Sequence, residues 1–289
     1  MDKIWDIWFS RIEISNKSKL DLLEKYQAKE IFRMKRKDLG IILGEEKEKI
    51  IDKIVDLKYR INLEKYFKYM EKNDINIFKF SDDLYPQKLK NITNKPSYVF
   101  TRGNYEILDE DNIAIVGSRE ASENKKQFTR KLAKEIADRN VNVVSGLAMG
   151  IDKYAHLGAL DSKLGKTIAV VGTGLADSDI YPLQNKKIFE RILEGKGVIV
   201  SEHIMGTKPI KYHFPLRNRI ISAVSDKIVV VEATERSGSL ITANFGLEQG
   251  KDIYAVPGRL EDKNAQGTNR LIKEGAYLLE AVDDLFIFY

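Results

Sequence analysis

Residues 112–146, NIAIVGSREASENKKQFTRKLAKEIADRNVNVVSG, hold one complete strand–helix–strand unit. Positions 113–116 and 141–145 are short apolar runs rich in Val and Ile, and the charged stretch between them predicts a helix over 123–139. Runs that are apolar throughout, rather than alternating, are expected where helices cover both faces of a sheet. Outward from this unit the alternation continues. Strands are expected at 167–171, 198–201, 227–231 and 252–256, and helices near 150–164, 185–195, 215–225, 239–249 and 267–275. Repeated βα units predict an α/β protein with a doubly wound, mainly parallel sheet and right-handed crossovers. Strand order cannot be read at this level.

In such sheets ligands sit beyond the carboxyl ends of the strands. Here the strands run into small-residue turns: Gly117-Ser118-Arg119, Ser145-Gly146, Gly172-Thr173-Gly174 and Ser237-Gly238-Ser239. Glycine lets backbone approach a ligand, and helix N-termini offer free N–H groups to anions. Four such turns on one rim suggest a track for several phosphates. A second signal reinforces the first. From His203 to Ser225 there is no acid, yet the run carries Lys208, Lys211, Arg217 and Arg219, interleaved with Tyr212 and Phe214. Lysine supplies a point charge for phosphate, arginine a planar fork, and an aromatic ring a stacking face for a base.

Other motifs fall away on inspection. Gly165-Lys166-Thr167 has Leu160 where a phosphate-binding P-loop needs its first glycine, and it precedes a strand instead of following one. Gly172-Thr173-Gly174 lacks the third glycine of the dinucleotide fingerprint, since Leu175 to Ile180 contain none. His156, His203 and His213 show no metal-ligand spacing, and His156, on a helix, reads as structural. No metal and no cofactor are expected.

The 289 residues carry 48 basic and 43 acidic side chains, a net charge of +5. The whole excess lies in residues 1–100, with 22 bases and 17 acids; the remainder balances at 26 of each, so cations there must be locally concentrated to hold a polyanion. The absence of cysteine rules out disulfides and thiolate metal sites. No apolar run approaches the ~18 residues of a membrane span, and the N-terminus does not read as a signal peptide, so a cytoplasmic protein with no membrane association is expected. Residues 1–75 read as a small helical domain: Ile50, Ile54, Leu57 and Ile61 recur at helical spacing, and Ser18 is a candidate helix start. Residues 76–111 read as a connector that packs on the sheet domain at 112–289. Its prolines at 86 and 96 force extended or turn geometry, while Ile75, Ile77, Phe78, Phe80, Leu84, Leu89, Tyr98, Val99 and Phe100 call for burial.

From about Asp82 to Leu285 the chain resembles the DprA/Smf family of DNA-processing proteins. The likeness is carried by Asp83-Leu84-Tyr85-Pro86-Gln87-Lys88-Leu89, Val116-Gly117-Ser118-Arg119 and Ser145-Gly146-Leu147-Ala148-Met149-Gly150-Ile151-Asp152. It continues in Phe214-Pro215-Leu216-Arg217-Asn218-Arg219-Ile220-Ile221, Ser237-Gly238-Ser239-Leu240-Ile241-Thr242-Ala243, Val256-Pro257-Gly258 and Gly267-Thr268-Asn269-Arg270-Leu271-Ile272. The resemblance implies an extended Rossmann-like fold preceded by a small all-α domain, single-stranded DNA binding without catalysis, homodimerisation, and loading of the RecA recombinase onto DNA taken up in natural transformation. It places Gly117, Ser118, Arg119, Lys211, Phe214, Arg217, Asn218, Arg219, Ser237, Gly238 and Ser239 at the DNA. Leu271, Ile272, Leu278, Leu279 and Ile287, Phe288, Tyr289 are candidate dimer positions. The chain departs from the family in a longer turn at 174–182, in Ala223-Val224-Ser225 where Gly-Leu-Ser is common, and in N-terminal helices without a glycine-bearing DNA-binding hairpin. No winged-helix domain is expected after Tyr289. The alternative is a nucleotide-processing enzyme of the Rossmann-like phosphoribohydrolase type, with Glu232 or Glu235 as acid; against it, the Pro-Gly-Gly-x-Gly-Thr turn of those enzymes is missing from 232–239.

Overall fold

The structure is a computed structural model and describes residues 3–44, 47–60, 62–195 and 197–286. Six helices come first: α1 (Lys3–Ser10), α2 (Asn16–Leu23), α3 (Ala28–Arg33), α4 (Arg36–Leu43), α5 (Glu48–Arg60) and α6 (Leu63–Lys72). Ile61 of the helical repeat lies outside the described residues. The expected start at Ser18 is three residues late. Ser15 is the N-cap of α2, and its hydroxyl accepts the Ser18 N–H at 3.1 Å, which satisfies one of the donors a helix start leaves open.

The stretch expected to be a connector supplies two strands, β1 (Ile75–Lys79) and β2 (Tyr98–Gly103), with the short α7 (Gln87–Lys90) between them. The sheet continues through β3 (Asn112–Val116), β4 (Asn142–Ser145), β5 (Thr167–Val170), β6 (Val198–Ser201), β7 (Lys227–Val230), β8 (Asp252–Ala255) and β9 (Tyr277–Leu278). Between them run α8 (Glu123–Ala137), α9 (Ile151–Leu160), α10 (Lys186–Glu194), α11 (His213–Ala223), α12 (Gly238–Glu248) and α13 (Gln266–Lys273). The order across the sheet is β1-β2-β6-β5-β4-β3-β7-β8-β9. β1 and β2 attach antiparallel at one side, and every pairing from β6 to β9 is parallel. The mainly parallel, doubly wound α/β sheet read from the sequence is therefore the observed fold, with an antiparallel extension that was not read.

Strand period two decides which residues meet which layer. On β3, Ile113 and Ile115 pack with α8 and α9, while Ala114 and Val116 pack with α11 and α12 on the opposite face. A third cluster joins the N-terminal helices to β1, β2, β6 and α10 through Trp8, Phe9, Phe100 and Ile199, so the helical region shares its core with the sheet. Of the connector residues expected inside, Leu84 is exposed and Phe80 half-buried. Tyr85 is buried instead, its hydroxyl donating to the Pro96 carbonyl at 2.8 Å.

The chain winds outward from β3 in two directions, through β4, β5 and β6 on one side and β7, β8 and β9 on the other. The carboxyl ends of β3, β4 and β7 thus border a crevice at a topological switch point, where open α/β sheets hold ligands.

Candidate nucleic-acid interface

A cleft of about 640 Å³ opens at that switch point. One wall is the turn after β3, Gly117-Ser118-Arg119; the other is the start of α12, Ser237-Gly238-Ser239. Lys211, Phe214, Arg217 and Asn218 close it from the α11 side. Ten of the eleven residues expected at DNA line this one cleft; Arg219 does not.

The turns are held by backbone contacts that exclude side chains. Gly150 has φ +74°, and a Cβ there would stand 2.2 Å from the Ser118 carbonyl oxygen and 2.5 Å from that of Arg119. The loop between β4 and α9 can lie against the Gly-Ser-Arg turn only because position 150 is glycine. The Ile151 N–H donates to the Ser118 carbonyl at 3.1 Å and the Ser118 N–H to the Glu232 carbonyl at 2.8 Å, fixing the turn between its two neighbours. His156 buttresses the same loop. It is buried, accepts the Leu147 N–H at Nε2 (3.3 Å) and sits 2.7 Å from the Thr167 hydroxyl at Nδ1. Burial pulls its pKa down to about 3, with Arg217 adding to the effect, so the ring is neutral and structural, as its helical setting suggested.

α11 begins at His213, two residues before the expected start, with Pro215 in its first turn, where a missing N–H breaks no helical bond. From residue 217 to residue 223 every side chain is buried. The three polar residues of the Arg-Asn-Arg triplet are therefore not a surface cation cluster, and they differ in role. The Arg217 guanidinium lies across Gly146, whose missing Cβ would meet its Nη1 at 2.4 Å. Its Nη1 donates to the Gly146 carbonyl at 2.6 Å and to the Val170 carbonyl, and its Nε to Asn218 Oδ1 at 3.1 Å. Asp152 lies buried nearby, accepting the N–H groups of Gly146 at 3.1 Å and Ala148 at 3.4 Å. Burial lowers the Arg217 pKa to about 10, opposed by Asp152 and aided by Arg119, so it remains charged at neutral pH. Burial raises the Asp152 pKa, and the Arg217 charge opposes that rise. Arg217 thus forms the charged floor of the cleft. Asn218 Nδ2 donates to the Gly238 carbonyl at 3.1 Å and ties α11 to the start of α12.

Arg219 points away from the cleft, so its expected place at DNA is corrected. It is 2% exposed and makes a two-point ion pair with Glu202, Nη1–Oε1 2.9 Å and Nη2–Oε2 2.6 Å, while Nε donates to the Asn94 carbonyl at 2.9 Å. Two helix positions after Arg217, it faces a different side of α11. The third glycine turn is corrected as well. Gly172-Thr173-Gly174 does not line the cleft: His213 packs on Gly172, and the buried Asp179 carboxylate accepts N–H groups from Ala176 at 3.1 Å and Gly206 at 2.7 Å beside Gly174.

The exposed cations are Arg119 and Lys211, and neither forms an ion pair with any described residue. The Arg119 guanidinium stands 5.6 Å over the Phe214 ring, and Tyr181 approaches that ring at 5.6 Å with a 41° tilt. Phe214 is half-buried and contacted by both, which restricts its ring. Tyr181 was not picked out from the sequence; it sits in the 174–182 turn. Asp152 is the only acid lining the cleft among the described residues. The acids of the enzyme alternative are elsewhere. Glu232 is buried, accepting the Ser122 N–H at 3.0 Å, and neither it nor Glu235 lines the cleft.

Of the candidate dimer positions, Leu271 and Leu279 are corrected: both are buried in the core. Leu278, on the edge strand β9, is exposed and Ile272 half-buried, while Ile287, Phe288 and Tyr289 lie outside the described residues. Among the described residues no helix is long and apolar enough to cross a membrane.

A family model described as DNA recombination-mediator protein A matches residues 76–289. The DNA processing protein DprA of Bacillus subtilis is 41% identical over 213 residues, 73% of this chain and 70% of that protein. Protein Smf of Borreliella burgdorferi is 31% identical over 273 residues, 94% of this chain and 84% of its own length. The X-ray structure of DprA from Streptococcus pneumoniae superposes with a TM-score of 0.81 at 33% identity, covering 99% of each chain. DNA processing protein A from Helicobacter pylori, whose structure is described for its single-stranded DNA binding mode, gives 0.65 at 30% identity over 73% of this chain and 93% of that one. A match that begins where the sheet begins and spans every turn of the cleft leaves one reading of descent: the chain belongs to the DprA/Smf family of DNA recombination mediators.

Proposed function

We propose that the cleft binds single-stranded DNA, that it does so without catalysis, and that the chain acts in the cytoplasm. One observation carries this reading. Two exposed cations, an aromatic ring and two small-residue turns converge on a cleft in which the only acid among the described residues is buried. Arg119 and Lys211 take phosphates, Phe214 stacks or wedges a base, and the turns at Gly117 and Gly238 let the backbone approach. An unpaired strand can offer its bases to the ring; a duplex cannot. The relative from Helicobacter pylori supports the choice of ligand. By family likeness the protein forms a homodimer and loads RecA onto the bound strand. Two aligned clefts would raise apparent affinity through multivalency.

The test is a fluorescence anisotropy titration with single-stranded and duplex oligonucleotides over a range of salt. Tight, steeply salt-dependent binding of the single strand is expected, and Arg119→Ala and Lys211→Ala each lower the log–log salt slope by about 0.7. Equal affinity for duplex refutes the reading. The mediator step is checked by RecA-dependent strand pairing on DNA pre-coated with single-strand binding protein. No stimulation by a sample that binds DNA normally removes that part of the proposal.

A further inference from the structure

A second and larger cleft, of about 780 Å³, lies between the N-terminal helices and the sheet. Its first wall is the segment from Ser10 to Lys19, which runs from the end of α1 into the first turn of α2; its second wall runs from Glu202 to Leu216. The two clefts share a boundary. Lys208, Ile210, Tyr212 and His213 line the second, while Lys211 and Phe214 line the first. Residues 208–213 are thus a ridge with a cleft on either side.

The ridge is built to meet a ligand. Tyr212 is 71% exposed and Ile210 50%, so the ridge offers a ring and an aliphatic side chain to whatever crosses it. Beneath it His203 and His213 stack at 3.8 Å and 22°, and His213 Nδ1 lies 3.1 Å from the Gly172 carbonyl, so the ridge rests on a rigid base. The charges of the second cleft also favour an anion. Lys17 and Lys208 line opposite walls, both exposed and without an ion pair to any described residue. Of its two acids, Glu202 is already engaged by Arg219 at 2.6 Å, which leaves Glu13 on the rim. This arrangement puts part of the N-terminal excess of +5 next to the strand path.

We propose that a bound single strand leaves the first cleft over the Tyr212 ridge and continues into the second, so that the N-terminal helices form the far wall of one continuous DNA track. This rests on the reading of the first cleft as a single-strand site and extends it. Lys17 and Lys208 take backbone phosphates from either side, and Tyr212 stacks the base that crosses the ridge.

The experiment compares oligonucleotides of ~4 and ~16 nucleotides, the range of site sizes for single-strand grooves. The triple variant Lys17→Ala, Lys208→Ala, Tyr212→Ala changes only exposed side chains, and a thermal melt checks that it folds. We expect the ~16-mer to bind at least about ten-fold more weakly, with its log–log salt slope reduced by about 1.4, two phosphates' worth. The ~4-mer should bind as to the unaltered protein, while Lys211→Ala weakens both lengths. Unchanged binding of the ~16-mer, or equal losses at the two lengths, overturns the continuous track and leaves the first cleft intact. If the unaltered protein binds neither length, the reading of the first cleft falls and takes this inference with it.

Discussion

Replacing Arg217 by alanine separates a charge that builds the cleft from the charges proposed to meet its ligand. Arg217 donates to the Gly146 and Val170 carbonyls and offsets the buried Asp152. In Arg217→Ala the two carbonyls lose a charged donor and Asp152 loses its cation. Hydrogen bonds to charged groups contribute about 1.5–3 kcal/mol each, and Asp152, which makes no direct ion pair with Arg217, loses a favourable charged neighbour. These terms overlap, so we expect a stability loss of about 3–5 kcal/mol in total. A urea titration should show it as a lower midpoint with an unchanged slope. Lys211→Ala, on the rim, should leave the midpoint where it is. The loss should also depend on pH with a definite sign. Asp152 has a folded pKa above its unfolded value, so its contribution to stability is greatest below the unfolded pKa and is lost as pH rises through the folded one. Without Arg217 that folded pKa moves higher still. The deficit of the variant is then largest at neutral pH and shrinks on acidification as Asp152 protonates. The His156 ring, freed from the Arg217 charge, shifts the balance in the same direction. A deficit that stays constant from pH 8 to pH 5, or a variant as stable as the parent, refutes the coupling and the role of floor given to Arg217.

Further outcomes follow from the same geometry. Phe214→Ala should weaken single-strand binding by about 1–3 kcal/mol with the salt slope kept, since a stacking face is lost and no charge; binding unchanged in anisotropy would mean that the ring only fills space between Arg119 and Tyr181. Arg219→Ala should destabilise the fold by about 3–5 kcal/mol by stranding Glu202, yet leave the salt slope of DNA binding unaltered in the protein that remains folded; a lowered slope would put Arg219 at the DNA after all. The pKa of His203 is pulled down to about 4 and that of His156 to about 3, both by burial. A depressed folded pKa gives stability that is present above the unfolded value near 6.5 and lost as pH falls toward 4 and 3, so chemical denaturation at pH 5 should show less stability than at pH 7, and His156→Gln should flatten that difference.

The sheet was legible because its parallel strands are buried on both faces. A strand such as 198–201, apolar on both sides, can be nothing else, and its bounds come out unchanged. β1 and β2 were missed because their neighbourhood is broken by Pro86 and Pro96, and local punctuation reads as a connector even where long-range pairing with β6 makes strands. The cleft was largely legible too, because turns after parallel strands must share one rim. The failure at Arg219 has a physical cause. A cation in a basic window suggests solvent, but α11 continues as Ile220-Ile221-Ser222-Ala223, uncharged on every side, and a helix apolar all round is a buried one. Tyr181 could not have been found this way, since nothing in a turn at 174–182 tells which ring will reach Phe214.

The acid-free window therefore has two layers with different tasks. Its buried arginines take their counter-charges from outside the window, Asp152 for Arg217 and Glu202 for Arg219, so no carboxylate is needed within it. Its exposed lysines have no ion pair with any described residue and lie on the solvent side. This division has an energetic consequence. Lys211 would give up side-chain freedom on meeting a phosphate, whereas Arg217 is already fixed by bonds to the Gly146 carbonyl after β4 and the Val170 carbonyl at the end of β5, and so places its charge beneath the cleft at no further ordering cost. Under the proposed reading, a strand entering the cleft would meet a field that was set when the protein folded. Its bases would then meet the Phe214 ring, which Arg119 and Tyr181 already contact. Phosphates and ring faces are common to every sequence, so under that reading fixed charge and a fixed stacking surface would favour single strands over duplex without regard to base order.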